Sequence, residues 1–157
     1  MRKFRFNLQK VLDYRETVED KLMSELATIQ AELDRATARL HDLMRARNRF
    51  REHMRQRLSG GSPDEIKQAS EYLDELNNCL RAQASAVRRV TEARDGKLAE
   101  VLEASKDRKM LERLRDQRKT EHRSETEHQE QEFLDDIAGI HHSRTDAKAD
   151  FLVGGLG

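Results

Sequence analysis

The residues whose types best suit chemistry lie near the C-terminal end of the chain. Glu125 and His128 have the Glu-x-x-His spacing of di-iron helical bundles, and His122, His141 and His142 lie nearby. Such a site needs several helices that supply inward-facing carboxylates. The surrounding segment is almost wholly polar, which favours a solvated helix face, and adjacent histidines on a helix do not face each other. We therefore expect no metal and no cofactor, and metal binding by Glu125 and His128 is the enzymatic alternative.

Two adjacent glycines are the next candidates for chemistry. A phosphate-binding loop continues from its glycines with Lys and then Ser or Thr. Here Gly60 and Gly61 are followed by Ser62 and Pro63. The glycines therefore indicate a turn and not a nucleotide site. A turn of this kind between long helices predicts a two-helix protein, which offers little concavity for a catalytic site. We therefore expect that the chain is not an enzyme.

Composition narrows the class of protein. Charged residues make up 38% of the chain, hydrophobic residues 36% and aromatic residues 4%, which is typical of a long helix or coiled coil. Lys plus Arg and Asp plus Glu number 30 each, so net charge predicts neither nucleic acid nor a membrane surface as partner. Cys79 has no other cysteine to pair with. No signal-peptide pattern and no long apolar run is present, so we expect a cytoplasmic protein.

Charge is distributed unevenly along the chain. A basic tract precedes the glycines and consists of Arg39, Arg45, Arg47, Arg49, Arg51, Arg55 and Arg57. An acidic tract lies near the C-terminus and consists of Glu121, Glu125, Glu127, Glu130, Glu132, Asp135 and Asp136. An apolar patch accompanies the acidic tract and consists of Phe133, Leu134, Ile137 and Ile140. Both tracts are compatible with plain solvated surfaces, or with opposite potentials that steer different partners.

The elements that position these residues are predicted to be two helices and one turn. Ser62 is a helix cap, Pro63 suits the first helical position, and Glu65 completes a capping box with Ser62. We therefore predict a helix over 5–58, a turn over 59–62 and a second helix over 63–138.

Both predicted helices carry apolar residues at seven-residue spacing. The first helix has two such series, Leu22, Ile29, Ala36, Leu43, Phe50 and Leu26, Leu33, Leu40, Arg47, Met54. The second helix repeats the pattern in Ile66, Leu73, Leu80, Val87, Arg94, Val101 and Ala69, Leu76, Gln83, Val90, Lys97. A long amphipathic helix buries its apolar stripe by packing, and a tight turn brings a second helix back to cover it.

The predicted fold is therefore all-α: a long two-helix antiparallel coiled-coil hairpin with an overhanging second helix. Pairing across the turn joins residues whose numbers add to about 121, so that Leu12 lies near Lys109 and Arg15 near Lys106. We expect residues 1–140 to form a single hairpin domain and residues 141–157 to form a flexible C-terminal tail.

Two runs of sequence carry a resemblance to a known family. The first is Phe4-Arg5-Phe6-Asn7-Leu8-Gln9-Lys10-Val11-Leu12-Asp13-Tyr14-Arg15. The second is Glu103-Ala104-Ser105-Lys106-Asp107-Arg108-Lys109-Met110-Leu111-Glu112-Arg113-Leu114, followed by Glu132-Phe133-Leu134-Asp135-Asp136-Ile137-Ala138. Both resemble signatures of the FliJ family, a component of the flagellar protein-export apparatus. With the hairpin layout, the resemblance covers nearly the whole chain.

The resemblance implies a stalk, because this family is similar to the central gamma subunit of rotary ATP synthases. The implied partners are the hexameric export ATPase, the membrane-embedded export gate and the chaperones of export substrates, at the inner face of the cell membrane. Residues implied to bind the ATPase ring are Phe6, Leu8, Leu12, Arg15, Lys106, Asp107, Arg108 and Lys109. Residues implied to bind the gate are Leu43, Phe50, Tyr72 and Leu76.

Two other functions stay open at this level. One is the corresponding stalk of a virulence-type secretion system. The other is a generic coiled-coil holding chaperone or spacer that uses exposed apolar residues. A pull-down that recovers an ATPase favours a stalk, whereas one that recovers many unfolded proteins favours a chaperone.

Overall fold

A computed structural model describes residues 3–153, with the side chains of Leu58 and of residues 145–153 excepted. Helix α1 spans Gln9–Arg57, a 3-10 turn spans Leu58–Gly60, and helix α2 spans Pro63–Val153. The described residues contain no strand, and the two long helices pack against each other. The predicted all-α helical hairpin is confirmed.

The chain divides into two compact units. The hairpin unit consists of Asp13–Arg108. The terminal unit consists of Met1–Leu12 together with Lys109–Gly157. Each unit holds one part of α1 and one part of α2.

The turn of the hairpin unit has the predicted capping box. The Glu65 backbone N–H donates to Ser62 Oγ over 3.4 Å, and the Ser62 N–H donates to Glu65 Oε2 over 3.3 Å. The Ile66 N–H donates to the Ser62 carbonyl over 3.2 Å. These bonds satisfy donors that a helix start leaves unpaired. Pro63 follows as the first helical residue, where it has no N–H to lose.

The predicted seams of the hairpin unit are the covered faces of its helices. Every seam position from Leu22 to Met54 is buried or half-buried, and Leu33 is 8% exposed. In α2 all predicted seam positions are likewise covered except Ile66, beside the turn. Leu80 is 7% exposed. Most seam residues are only half-buried because two helices cover one stripe of each other and no third layer is present in the unit.

Contacts across the hairpin unit follow the predicted register. Arg15 contacts Asp107, and Glu25 contacts Lys97, so the numbers of both pairs add to 122. The Gln83 amide donates to the Ala36 carbonyl over 2.9 Å, a pair whose numbers add to 119. This bond explains how a polar residue is accommodated in the seam. Antiparallel pairing from the turn is therefore kept along the unit.

The helix boundaries differ from the predicted ones at both chain ends. Residues 3–8 form a non-helical arm before α1, in which the Gln9 N–H donates to the Phe6 carbonyl over 3.1 Å. Helix α2 continues to Val153 instead of ending at 138. A single glycine costs a helix interior only about 1 kcal/mol relative to Ala, so Gly139 does not end α2. Of the predicted tail 141–157, the part up to Val153 is thus helical, and residues 154–157 lie outside the described residues.

Within residues 3–153, neither helix has a segment that is both long enough and apolar enough to cross a bilayer.

Candidate partner-binding surfaces

In the hairpin unit, two ion pairs connect the two signature runs or lie beside them. Arg15 Nη1 donates to Asp107 Oδ2 over 3.1 Å, and both side chains are partly exposed. Arg108 Nε donates to a carboxylate oxygen of Glu19, which is 8% exposed. Glu19 was not among the predicted residues, and the only signal for it in the sequence is its position one turn beyond Arg15 on the same helix face. Of the predicted ring-binding residues, the structure therefore brings together Arg15 and Asp107.

Lys106 is paired within its own helix, whereas its neighbours Asp107 and Arg108 are paired with residues of α1. Its ammonium donates to Glu103 Oε1 over 2.9 Å, and about two thirds of its side chain is exposed to solvent. The hydrogen bond from Lys106 to Glu103 raises the pKa of Lys106. Such an exposed cation remains available to a partner, because a surface ion pair within one helix is weak.

The terminal unit contains the other four predicted ring-binding residues. Leu12 is fully buried, Phe6 is 9% exposed and Leu8 is half-buried, whereas Lys109 is exposed. The Leu12 N–H donates to the Leu8 carbonyl over 2.9 Å, which places Leu12 in the first turns of α1. Phe6 and Leu12 thus belong to the core of this unit, and Lys109 is the residue of the four that faces solvent most openly.

The non-helical arm of the terminal unit packs on α2. The rings of Phe4 and His122 meet edge to face, with centroids 5.7 Å apart. An open cavity of about 700 Å³ lies between the arm and α2. Its wall includes the cationic residues Arg5, Arg115 and Lys119. Arg115 is paired with Asp116, which also lines the cavity.

The predicted gate-binding residues all lie in the hairpin unit near the turn. Phe50 and Tyr72 form an edge-to-face pair with centroids 4.6 Å apart. Phe50, Leu43 and Leu76 are half-buried, whereas Tyr72 is 48% exposed. Phe50 also lines two shallow cavities of about 340 and 270 Å³. Met54 and Ala69 line both cavities as well. The structure therefore brings Phe50 and Tyr72 together and leaves much of Tyr72 accessible.

The residues considered for metal chemistry lie apart from any ligand cluster. His128 Nε2 lies 3.3 Å from Glu132 Oε1, an ordinary contact one helical turn apart on an exposed face. Within the described part of the chain, no three His, Cys, Asp or Glu side chains converge as metal ligands would. Cys79 is exposed and unpaired with another cysteine.

The apolar patch of the acidic tract is open to solvent in the terminal unit. Phe133 is 65% exposed, Leu134 60%, Ile140 56% and Ile137 40%. All described residues from 127 to 144 are likewise exposed. The sequence pattern located this patch, and the structure adds that no described residue covers it.

Comparison with known proteins identifies the family. The family model of the flagellar FliJ protein matches residues 4–146, a range that includes both signature runs and the segment 132–138. No curated protein and no solved structure matches the chain significantly. The family consists of non-catalytic components of the flagellar export apparatus. The chain therefore belongs to the FliJ family and is a component of that apparatus.

Proposed function

We propose that this protein is the central stalk that binds the export ATPase ring and couples it to the export gate and to substrate chaperones. The observation that supports the proposal most directly is the contact of Arg15 with Asp107. This contact joins the first signature run to the second within the hairpin unit, although 92 positions separate the two residues. A surface composed of both runs requires such a contact.

The proposed ring-binding residues divide by burial into two roles. Leu12 and Phe6 are buried in the terminal unit, so their role is to support the exposed binding residues by packing in the core. Lys106 of the hairpin unit and Lys109 of the terminal unit are exposed, so their ammonium groups are the ones that contact the ring. Exposed cations of this kind mainly raise the rate and specificity of association with an acidic surface.

The proposed gate contact lies near the turn. Tyr72 is the most exposed of the four predicted gate-binding residues. The shallow cavities beside Phe50 offer room for an apolar side chain of a partner. Tyrosine is common at interaction hot spots because it combines a large apolar area with a polar end. In this proposal the paired helices of the hairpin unit carry a displacement along their length. The protein acts in the cytoplasm, at the inner face of the membrane through its partners.

The test is stimulation of the purified export ATPase by the full chain. We expect Lys106→Glu with Lys109→Glu to abolish most of the stimulation, because both charges facing the ring are reversed. The matched control is Lys67→Glu with Arg88→Glu, which reverses two exposed charges outside the signature runs. The control variant should stimulate normally. Equal stimulation by both variants would contradict the proposed ring contact.

The family match favours the flagellar system over a virulence-type one, because the matching model is that of the flagellar protein. A holding chaperone is the second candidate, and the exposed apolar residues of α2 are the observation in its favour. Protection of an unfolded model substrate from aggregation, at stoichiometric amounts and with no effect on the ATPase, would support that candidate instead.

A further inference from the structure

Helix α2 in the terminal unit carries an apolar stripe that no described residue covers. Phe133, Ile137 and Ile140 follow one another at steps of four and three residues, so they lie on one face of the helix. Leu134 lies beside them. Each is between 40% and 65% exposed. Four large apolar side chains grouped on an exposed helix face mark an interaction site more often than scattered ones do.

The stripe continues a face that is already used for packing. His122 packs against Phe4 of the non-helical arm. From His122 the same face leads by steps of four, four and three residues to Thr126, Glu130 and Phe133. Thr126 is half-buried, and beyond it all described residues are exposed. The apolar stripe is thus in line with an existing packing surface and has no covering segment among the described residues.

Carboxylates lie at one end and along one edge of the stripe. Glu130 lies in line with the stripe at its N-terminal end, and Asp136, three residues after Phe133, lies along one edge of it. Neither carboxylate has an ion-pair partner within the described part of the chain, which leaves both charges available. In coiled coils, charges that flank the apolar seam determine which helices pair, and opposite charges are favoured.

We propose that the face formed by Phe133, Leu134, Ile137 and Ile140 binds an amphipathic helix of another protein whose apolar seam is flanked by Lys and Arg. Helical geometry matches the occupant to the face, since an apolar stripe on one helix is covered by a similar stripe on another. A second copy aligned in parallel is disfavoured, because Glu130 and Asp136 would face the same residues of that copy. The proposal does not depend on the ring or gate contacts.

The experiment measures binding of two fluorescent peptides to the full chain by anisotropy. Both peptides are amphipathic helices of about three heptads with the same apolar seam, flanked by Lys in one and by Glu in the other. We expect the Lys-flanked peptide to bind at least about tenfold more tightly at low salt. The difference should shrink in about 1 M salt, where surface charges are screened.

Two pairs of variants locate the site. Phe133→Ser with Ile137→Ser should weaken binding of the Lys-flanked peptide at least about tenfold. Its matched control is Leu98→Ser with Leu102→Ser, another exposed apolar pair four residues apart on α2, in the hairpin unit. The control should bind normally. Glu130→Lys with Asp136→Lys should reverse the preference toward the Glu-flanked peptide, and it tests the proposal even if the serine variant loses helix.

Three results would overturn the proposal. Equal binding of the two peptides would remove the role of charge. Binding that survives the Phe133 and Ile137 substitutions would place the peptide elsewhere. Sedimentation that shows a dimer of the chain, lost on substitution of Phe133 and Ile137, would assign the face to a second copy.

Discussion

Glu19 and Arg108 form the most enclosed ion pair described in the hairpin unit, with side chains 11% and 23% exposed. The guanidinium Nε donates to the carboxylate, and the pair stands beside the seam that joins α1 to α2. Charges enclosed in this way depend on each other, because each has lost part of its hydration.

Removal of one member of this pair should destabilise the hairpin unit. We expect Arg108→Met to lower the free energy of unfolding by about 1–3 kcal/mol, since the Glu19 carboxylate is left largely buried without its donor. Glu19→Leu with Arg108→Leu should recover much of the loss. Urea denaturation followed by circular dichroism measures both effects. A double variant as unstable as Arg108→Met would show that packing, and not the unpaired charge, sets the cost.

Leu12 should be far more important to stability than its neighbour. Leu12 is fully buried, whereas Val11 is 41% exposed. Leu12→Ala should therefore cost about 2–4 kcal/mol, because it removes apolar contacts and leaves a cavity. Val11→Ala is the control and should change the free energy of unfolding by less than about 1 kcal/mol. Thermal unfolding monitors both variants, and similar losses at the two positions would contradict the packing of the terminal unit.

The edge-to-face contact of Phe50 with Tyr72 should give a measurable coupling energy. In a double-mutant cycle of Phe50→Leu and Tyr72→Leu, we expect coupling of about 0.5–1 kcal/mol, near the low end for aromatic pairs because Tyr72 is half exposed. Denaturant unfolding of the four proteins supplies the numbers. Additive losses would mean that the rings do not interact in solution.

Stability should also depend on pH through Glu25. The hydrogen bond from Lys97 lowers the pKa of Glu25 below its ordinary value of 4.5. The ionised carboxylate is thus favoured by folding, so its contribution is present above pH 4.5 and is lost as the pH falls through the lowered pKa. Between pH 6 and pH 3, Glu25→Gln should therefore show a smaller drop in melting temperature than the unmodified chain.

The matched control for this pH dependence is Glu32→Gln. Glu32 is exposed on α1 and has no ion-pair partner among the described residues. Its replacement should leave the pH profile nearly unchanged. Identical profiles for Glu25→Gln and the unmodified chain would show that the Lys97 contact is not kept in solution.

The sequence alone determined the features that depend on neighbouring residues. The capping box of Ser62 and Glu65 fixes the start of α2, because both bonds form within one turn of the chain. Seven-residue spacing located the covered seam, since it follows directly from helical geometry. The register followed too, because a tight turn leaves an antiparallel pair little freedom to slide.

Only the tertiary structure decided how these residues are shared between core and surface. Leu12 is fully buried and Lys106 is exposed, although both belong to signature runs, because burial depends on which face of a helix the packed structure covers. The pairing of Glu19 with Arg108 likewise needs both helices in place. At Gly139 the local preference for a break is worth about 1 kcal/mol, and the helical neighbours on both sides outweigh it. The sequence thus identifies the helices and the family, and packing between distant segments determines which side chains a partner can reach.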